Sequence, residues 1–127
     1  MNKYSLQRIL YVDNDDIRAV AGIALEAVGG LMRCLCASGQ EALAEAEKFS
    51  PDFILLDVMM PGMDGSATLA ALRRIDTLGA TPVIFMTAKA QSAEIGHYRE
   101  LGAIAVITKP FQAMQLVEQL REIWKGL

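Results

Sequence analysis

Five short aliphatic runs, separated by segments of helical pattern, constrain this chain more than anything else in it. They are "RILYV" (8–12), "LMRCLC" (31–36), "FILLD" (53–57), "PVIFMT" (82–87) and "AIAVIT" (103–108). Most are continuously apolar rather than alternating, the pattern of strands covered on both faces. The intervening segments carry helix signals. In "SGQEALAEAEKF", Ser38 stands three residues before Glu41, a capping-box spacing. In "MDGSATLAALRRI", Asp64 is a helix N-cap, and Gly79 falls in the loop to the next strand. In "FQAMQLVEQLREIW", Leu116, Val117, Leu120, Ile123 and Trp124 share one helical face. Five strand–helix units predict an α/β fold, a parallel sheet with helices on both faces.

The 127 residues fit one domain with a real core, and no linker, repeat or low-complexity tract divides 1–127. A hydrophobic fraction of 53% with 21% charged residues is globular composition, not disorder. The net charge of −3 supplies no basic footprint, which argues against direct contact with nucleic acid. No apolar run approaches the roughly 18 residues of a membrane span. "MNKYSLQRIL" lacks the apolar core of a signal peptide, so a cytoplasmic location is expected.

In open α/β sheets, ligands bind beyond the carboxyl ends of the strands. The first strand ends in "VDNDD" (Asp13, Asn14, Asp15, Asp16), the third in Asp57, the fourth in Thr87 and the fifth in Thr108, Lys109 and Pro110. The second ends in Cys36 and Ala37, with nothing to offer. Each polar residue alone has an ordinary reading as a helix cap or a strand-end ion pair. Together they deliver carboxylates, a hydroxyl and an ammonium to one edge of the sheet. Clustered carboxylates repel one another, and a hard divalent cation such as Mg²⁺ relieves that through oxygen ligands. The same acids would repel a free phosphate, which argues against a nucleotide cradle. With the cation in place, Asp57 can attack a phosphoryl group to give an acyl phosphate. Lys109 would balance charge on that group, and the Thr87 hydroxyl could donate to it.

With these residues in view, the chain resembles a response-regulator receiver domain over essentially its whole length. The resemblance is carried by "ILYVDNDDIR", "PDFILLDVMMPGMDG", "PVIFMTA" and "VITKPF", in order and at matching spacing. It implies a flavodoxin-like, doubly wound five-stranded parallel sheet of order 2-1-3-4-5 with five helices. It implies a two-component signalling switch rather than a metabolic enzyme, catalysing only its own phosphorylation and dephosphorylation. Asp57 matches the phosphoacceptor, Asp13 the first acid of the acidic pair, Thr87 the switch hydroxyl and Lys109 the paired lysine. Pro110 would follow a cis peptide bond that helps aim Lys109 inward. Mg²⁺ would be held by Asp13, Asp57 and the backbone carbonyl of Met59, with Asn14 or Asp15 completing the set.

The implied partners are a histidine kinase or histidine phosphotransfer protein upstream. Downstream stands a target protein or an output domain, which this chain itself does not contain. A homodimer through the exposed parts of the fourth helix, fifth strand and last helix is a further family implication.

Three features depart from the family pattern. The second acid is Asn14, whose amide can ligate Mg²⁺ but brings no charge. The loop from Asp13 to "DIR" (16–18) is one residue short of the commonest pattern, which leaves Asn14 and Asp15 as alternative ligands. Three positions before Lys109 the family often has an aromatic switch residue, and here it is Val106. Met59 and Lys89, two residues after Asp57 and Thr87, are neither acid nor amide, so neither suits orienting an attacking water. A long-lived phosphoryl state is expected.

Two other readings stay open on the sequence. A degenerate receiver would bind partners without being phosphorylated, in keeping with Asn14 and the short loop. An aspartyl-phosphate phosphatase would need a second Asp two residues after the nucleophile, where this chain has Met59. Cys34 and Cys36 share one strand face and are expected to be core hydrophobes. His97, the single histidine, is expected at the surface of the fourth helix.

Overall fold

In the computed structural model, which describes residues 5–88 and 91–127, the five apolar runs become one parallel sheet. The strands are β1 (Arg8–Val12), β2 (Met32–Cys36), β3 (Phe53–Asp57), β4 (Val83–Thr87) and β5 (Ala105–Thr108), in spatial order β2-β1-β3-β4-β5. The helices between them are α1 (Ile17–Ile23), α2 (Gly39–Phe49), α3 (Gly65–Arg73), α4 (Ser92–Glu100) and α5 (Ala113–Lys125). This is the doubly wound, flavodoxin-like order the resemblance implies.

Continuous apolar strands are needed because each strand feeds two cores. Leu10, Val12, Ile54, Leu56, Val83 and Phe85 point to one face, where Ala42, Ala46, Leu69, Leu72 and Tyr98 of the α2, α3 and α4 side cover them. Ile9, Tyr11, Phe53, Leu55, Ile84 and Met86 point to the other, under Ala21, Leu116 and Leu120 of α1 and α5. Alternation along each strand assigns every residue to one of the two layers.

The caps read from the sequence are present. The Glu41 N–H donates to Ser38 Oγ at 3.1 Å, and the Ala67 N–H donates to Asp64 Oδ1 at 2.9 Å. Trp124 is half-buried at the end of α5, its ring edge-on to Phe53 at 5.2 Å. Cys36 is buried and Cys34 packs beside the same core, as expected of small hydrophobes. His97 is exposed on α4.

Three strand starts move: the run 82–87 enters the sheet at Val83, one residue after Pro82, and the other two shift because a neighbouring helix takes up the backbone. The run 103–108 enters the sheet at Ala105, since the Ala103 N–H donates to the Tyr98 carbonyl at 3.1 Å and closes α4. The run 31–36 starts at Met32, since the Leu31 N–H donates to Leu25 O at 2.9 Å. Helix α1 also carries a feature no residue pattern announced: it widens into a π-helical segment, Ala24–Val28, with the Gly29 N–H reaching Ala24 O five residues back.

Helix α4 rests on one side chain. Tyr98 is its buried residue, and its ring meets Phe85 of β4 edge-on at 5.3 Å. Gly65, the first residue of α3, lets that helix start hard against β3. A Cβ there would lie 2.6 Å from the Asp57 carbonyl oxygen and 2.9 Å from Val58 Cα. Among the described residues, no helix is long and apolar enough to cross a membrane.

Candidate functional site

The parallel ladder continues past the strand ends and fixes where the polar residues emerge. The Asp13 N–H donates to Cys36 O at 3.0 Å, the Val58 N–H to Met86 O at 3.0 Å, and the Lys109 N–H to Thr87 O at 2.8 Å. Strand alternation then sorts their side chains. Asp13 follows Tyr11, Asp57 follows Leu55 and Lys109 follows Ile107, all on the α1/α5 face. Thr87 follows Phe85 on the opposite face.

The first three meet. Lys109 Nζ lies 2.9 Å from Asp13 Oδ2 and 3.5 Å from Asp57 Oδ1, bridging the carboxylates. Asp13 is wholly buried. Oδ1 accepts the Asp15 N–H at 2.9 Å, and Oδ2 accepts Lys109 Nζ together with the Tyr11 hydroxyl at 3.4 Å. The Lys109–Pro110 peptide is cis, as expected.

Above these groups opens a cleft of about 530 Å³ lined by Asn14, Asp15, Asp16, Asp57, Met59, Ala88 and Lys109. Asn14 and Asp15 are exposed, and Asp15 Oδ1 accepts the Ile17 N–H at 3.4 Å at the start of α1. Arg18 pins the short loop from below, donating to the carbonyls of Asp13 at 2.8 Å and Asp15 at 3.3 Å. Thr87 is buried and lines an adjoining cavity with Met59, Ala88, Glu94 and Tyr98. Met59 borders both spaces and is 79% exposed, so it shields neither by burial. Val106 is half-buried against the Phe85–Tyr98 core. Lys89 lies outside the described residues.

The electrostatics follow from burial. Asp57 is pushed up from 3.8 to about 6, first by burial and then by the charge of Asp13, while Lys109 and the Met59 N–H pull the other way. For Lys109, burial opposes the charge, but the hydrogen bond and charge of Asp13 and the charge of Asp57 outweigh it, so its ammonium is held above its ordinary value. Burial, then the charge of Asp13, raises Tyr11, so it stays a neutral donor.

The donor groups of the cleft are carboxylate and amide oxygens, with no histidine or thiol among its lining residues. That donor set suits a hard cation. Mg²⁺ keeps several waters and is held through one or two carboxylates, so the absence of a ready-made group of three acids among the described residues does not oppose it. Asp57 at the cleft, Asp13 beneath it, and Asn14 or Asp15 at the rim are the residues that could hold it.

Tyr11 and Arg18 were not singled out from the sequence. Tyr11 could have been: it stands two residues before Asp13, hence on the same strand face. Arg18 acts on backbone carbonyls, for which side-chain spacing gives no signal.

Residues 9–121 match the response regulator receiver domain family, and the chain belongs to that family. It is similar to the transcriptional regulatory protein CseB of Streptomyces coelicolor, with 36% identity over 116 residues, covering 91% of this chain and 48% of CseB. It is also similar to the DNA-binding response regulator MtrA of Mycolicibacterium smegmatis, at 32% identity over 115 residues, covering 91% of this chain and 49% of MtrA. The chain thus spans about half the length of these relatives. Among solved structures, the chemotaxis protein CheY4 of Vibrio cholerae superposes with a TM-score of 0.86 at 29% identity, covering 94% of this chain and 99% of CheY4. Receiver domains are the phosphorylation-controlled switches of two-component signalling.

Proposed function

We propose that this receiver accepts a phosphoryl group on Asp57 from the phosphohistidine of a histidine kinase or phosphotransfer protein, with Mg²⁺ as cofactor. The observation that carries the reading is the Lys109 ammonium held between Asp13 and Asp57 at 2.9 and 3.5 Å. An ionised Asp57 oxygen attacks phosphorus, the bond from phosphorus to the donor histidine breaks, and an acyl phosphate forms. Lys109 then pairs with the added negative charge, and Thr87 at the end of β4 donates its hydroxyl to a phosphoryl oxygen. When bound, Mg²⁺ held by Asp57 and Asp13 would supply positive charge to offset that of the incoming group.

Exposed, apolar Met59 orients no water, so the phosphoryl state is long-lived; decay of the label in Mg²⁺ buffer measures this. The altered surface passes the signal on through protein contacts, to a downstream protein or an output domain, or through a homodimer. Membrane and nucleic acid are not among the direct partners of this domain.

Intact-mass analysis after incubation with acetyl phosphate tests the reading. An adduct that needs both Mg²⁺ and Asp57, and is absent from Asp57→Asn, supports it. No adduct at high Mg²⁺ favours the second reading, a degenerate receiver that binds partners unphosphorylated, to which uncharged Asn14 at the cleft lends its support.

A further inference from the structure

Tyr11 is a phenol beneath an acidic site, the next-to-last residue of a strand whose other buried residues, Ile9, Leu10 and Val12, are aliphatic. It is completely buried, and Ile9, Phe53, Leu55, Ile84 and Met86 of the same layer are apolar. A phenylalanine would fill that space. A buried hydroxyl without a partner costs about 1–3 kcal/mol, so its presence calls for an acceptor. That acceptor is Asp13 Oδ2, 3.4 Å away.

Asp13 needs the donor for a reason of its own. With no solvent access, its carboxylate accepts from three donors among the described residues: the Asp15 N–H, Lys109 Nζ and the Tyr11 hydroxyl. Only one of these is shared. Lys109 also faces Asp57 at 3.5 Å, and any added negative charge on Asp57 competes for its ammonium. The Tyr11 hydroxyl is fixed by the sheet, carries no charge and has no competing acid within the same hydrogen bond.

We propose that Tyr11 is a positioning residue of this site: its hydroxyl holds the Asp13 carboxylate in place for a hard divalent cation and keeps holding it when Lys109 turns to Asp57. The inference rests on the metal reading given under Proposed function. Donors behind a metal-ligating carboxylate fix its orientation, and losing one typically lowers metal affinity about 10- to 100-fold.

The test titrates Mg²⁺ alone into ¹⁵N-labelled wild-type protein, Tyr11→Phe and Asp13→Asn, following backbone amide shifts. Thermal melts without metal run in parallel. The expected result is a dissociation constant raised about tenfold in Tyr11→Phe, with the metal-free melting temperature held, and a larger loss in Asp13→Asn. Unchanged Mg²⁺ affinity in Tyr11→Phe beside a weakened Asp13→Asn would overturn the role of Tyr11 and leave the metal reading standing. A Tyr11→Phe loss that tracks a lowered melting temperature would overturn it too, as a packing effect. If Asp13→Asn binds Mg²⁺ like the wild type, the metal reading itself fails, whatever Tyr11→Phe does.

Discussion

Lys109 and Asp13, 96 residues apart in the chain, meet at 2.9 Å in the floor of the cleft. The contact joins the last strand to the first across β3 and β4, and both partners are shielded: the Asp13 side chain is 0% exposed and that of Lys109 14%. Removing one member of such a pair leaves a buried charge without a counter-ion. Lys109→Ala is therefore expected to lose about 3 kcal/mol of stability at pH 7 and less at pH 5, where the carboxyls can take up protons. Its phosphorylation by acetyl phosphate should slow about a hundredfold. Urea unfolding at the two pH values and intact-mass time courses check both.

Asp57 makes the metal-free protein pH-dependent, with a definite sign. Its carboxyl titrates near 6 in the fold and near 3.8 when unperturbed. Between those values the native state holds a proton that the unfolded chain has lost, so stability falls as pH rises from about 4 to about 6 and levels off above. In EDTA, Asp57→Asn should be more stable than the wild type at pH 7, by on the order of 2 kcal/mol, and the two should converge near pH 4. A wild type more stable than the variant at pH 7 would contradict the burial and charge crowding assigned to Asp57.

Asn14 lines the cleft beside Asp57 and is exposed. Asn14→Asp adds a charge where a cation would relieve it. Mg²⁺ affinity should rise about tenfold, and the Asp57 carboxyl should titrate higher in EDTA, since a like charge nearby disfavours its ionised form. Carboxyl chemical shifts of the labelled variant, with and without Mg²⁺, read both effects.

Gly65 is the residue that lets α3 begin under the cleft. In Gly65→Ala, the new Cβ would sit 2.6 Å from the Asp57 carbonyl oxygen, and backbone cannot yield as a flexible side chain can. The expected cost is about 1–3 kcal/mol, with phosphorylation impaired because the displaced segment is the one that carries Asp57. A variant with wild-type stability and adduct formation would show that the α3 start is freely adjustable.

Much of this molecule is legible in its residues, and the limits are physical. The runs 8–12 and 53–57 became strands with unchanged ends, because each feeds two apolar layers and is bounded by polar residues. Ser38 and Asp64 were readable because a cap is a local bond over three residues. The meeting of Asp13, Asp57 and Lys109 was legible only once a sheet order was assumed. Other features stayed hidden, two of them for reasons of geometry. Thr87 shares the sheet edge but faces the α4 side, a distinction that strand parity carries and a list of strand ends does not. The start of β5 depends on where α4 closes, through the Ala103 N–H and Tyr98, and no property of the run 103–108 fixes that.

The π-helical segment Ala24–Val28 bears on the edge strand that follows it. A π turn accommodates one residue more than an α turn in the same span, and β2 nonetheless pairs with β1 in register, Val12 opposite Cys36. The Leu31 N–H bonded to Leu25 O ties the entry of that edge strand to the widened turn.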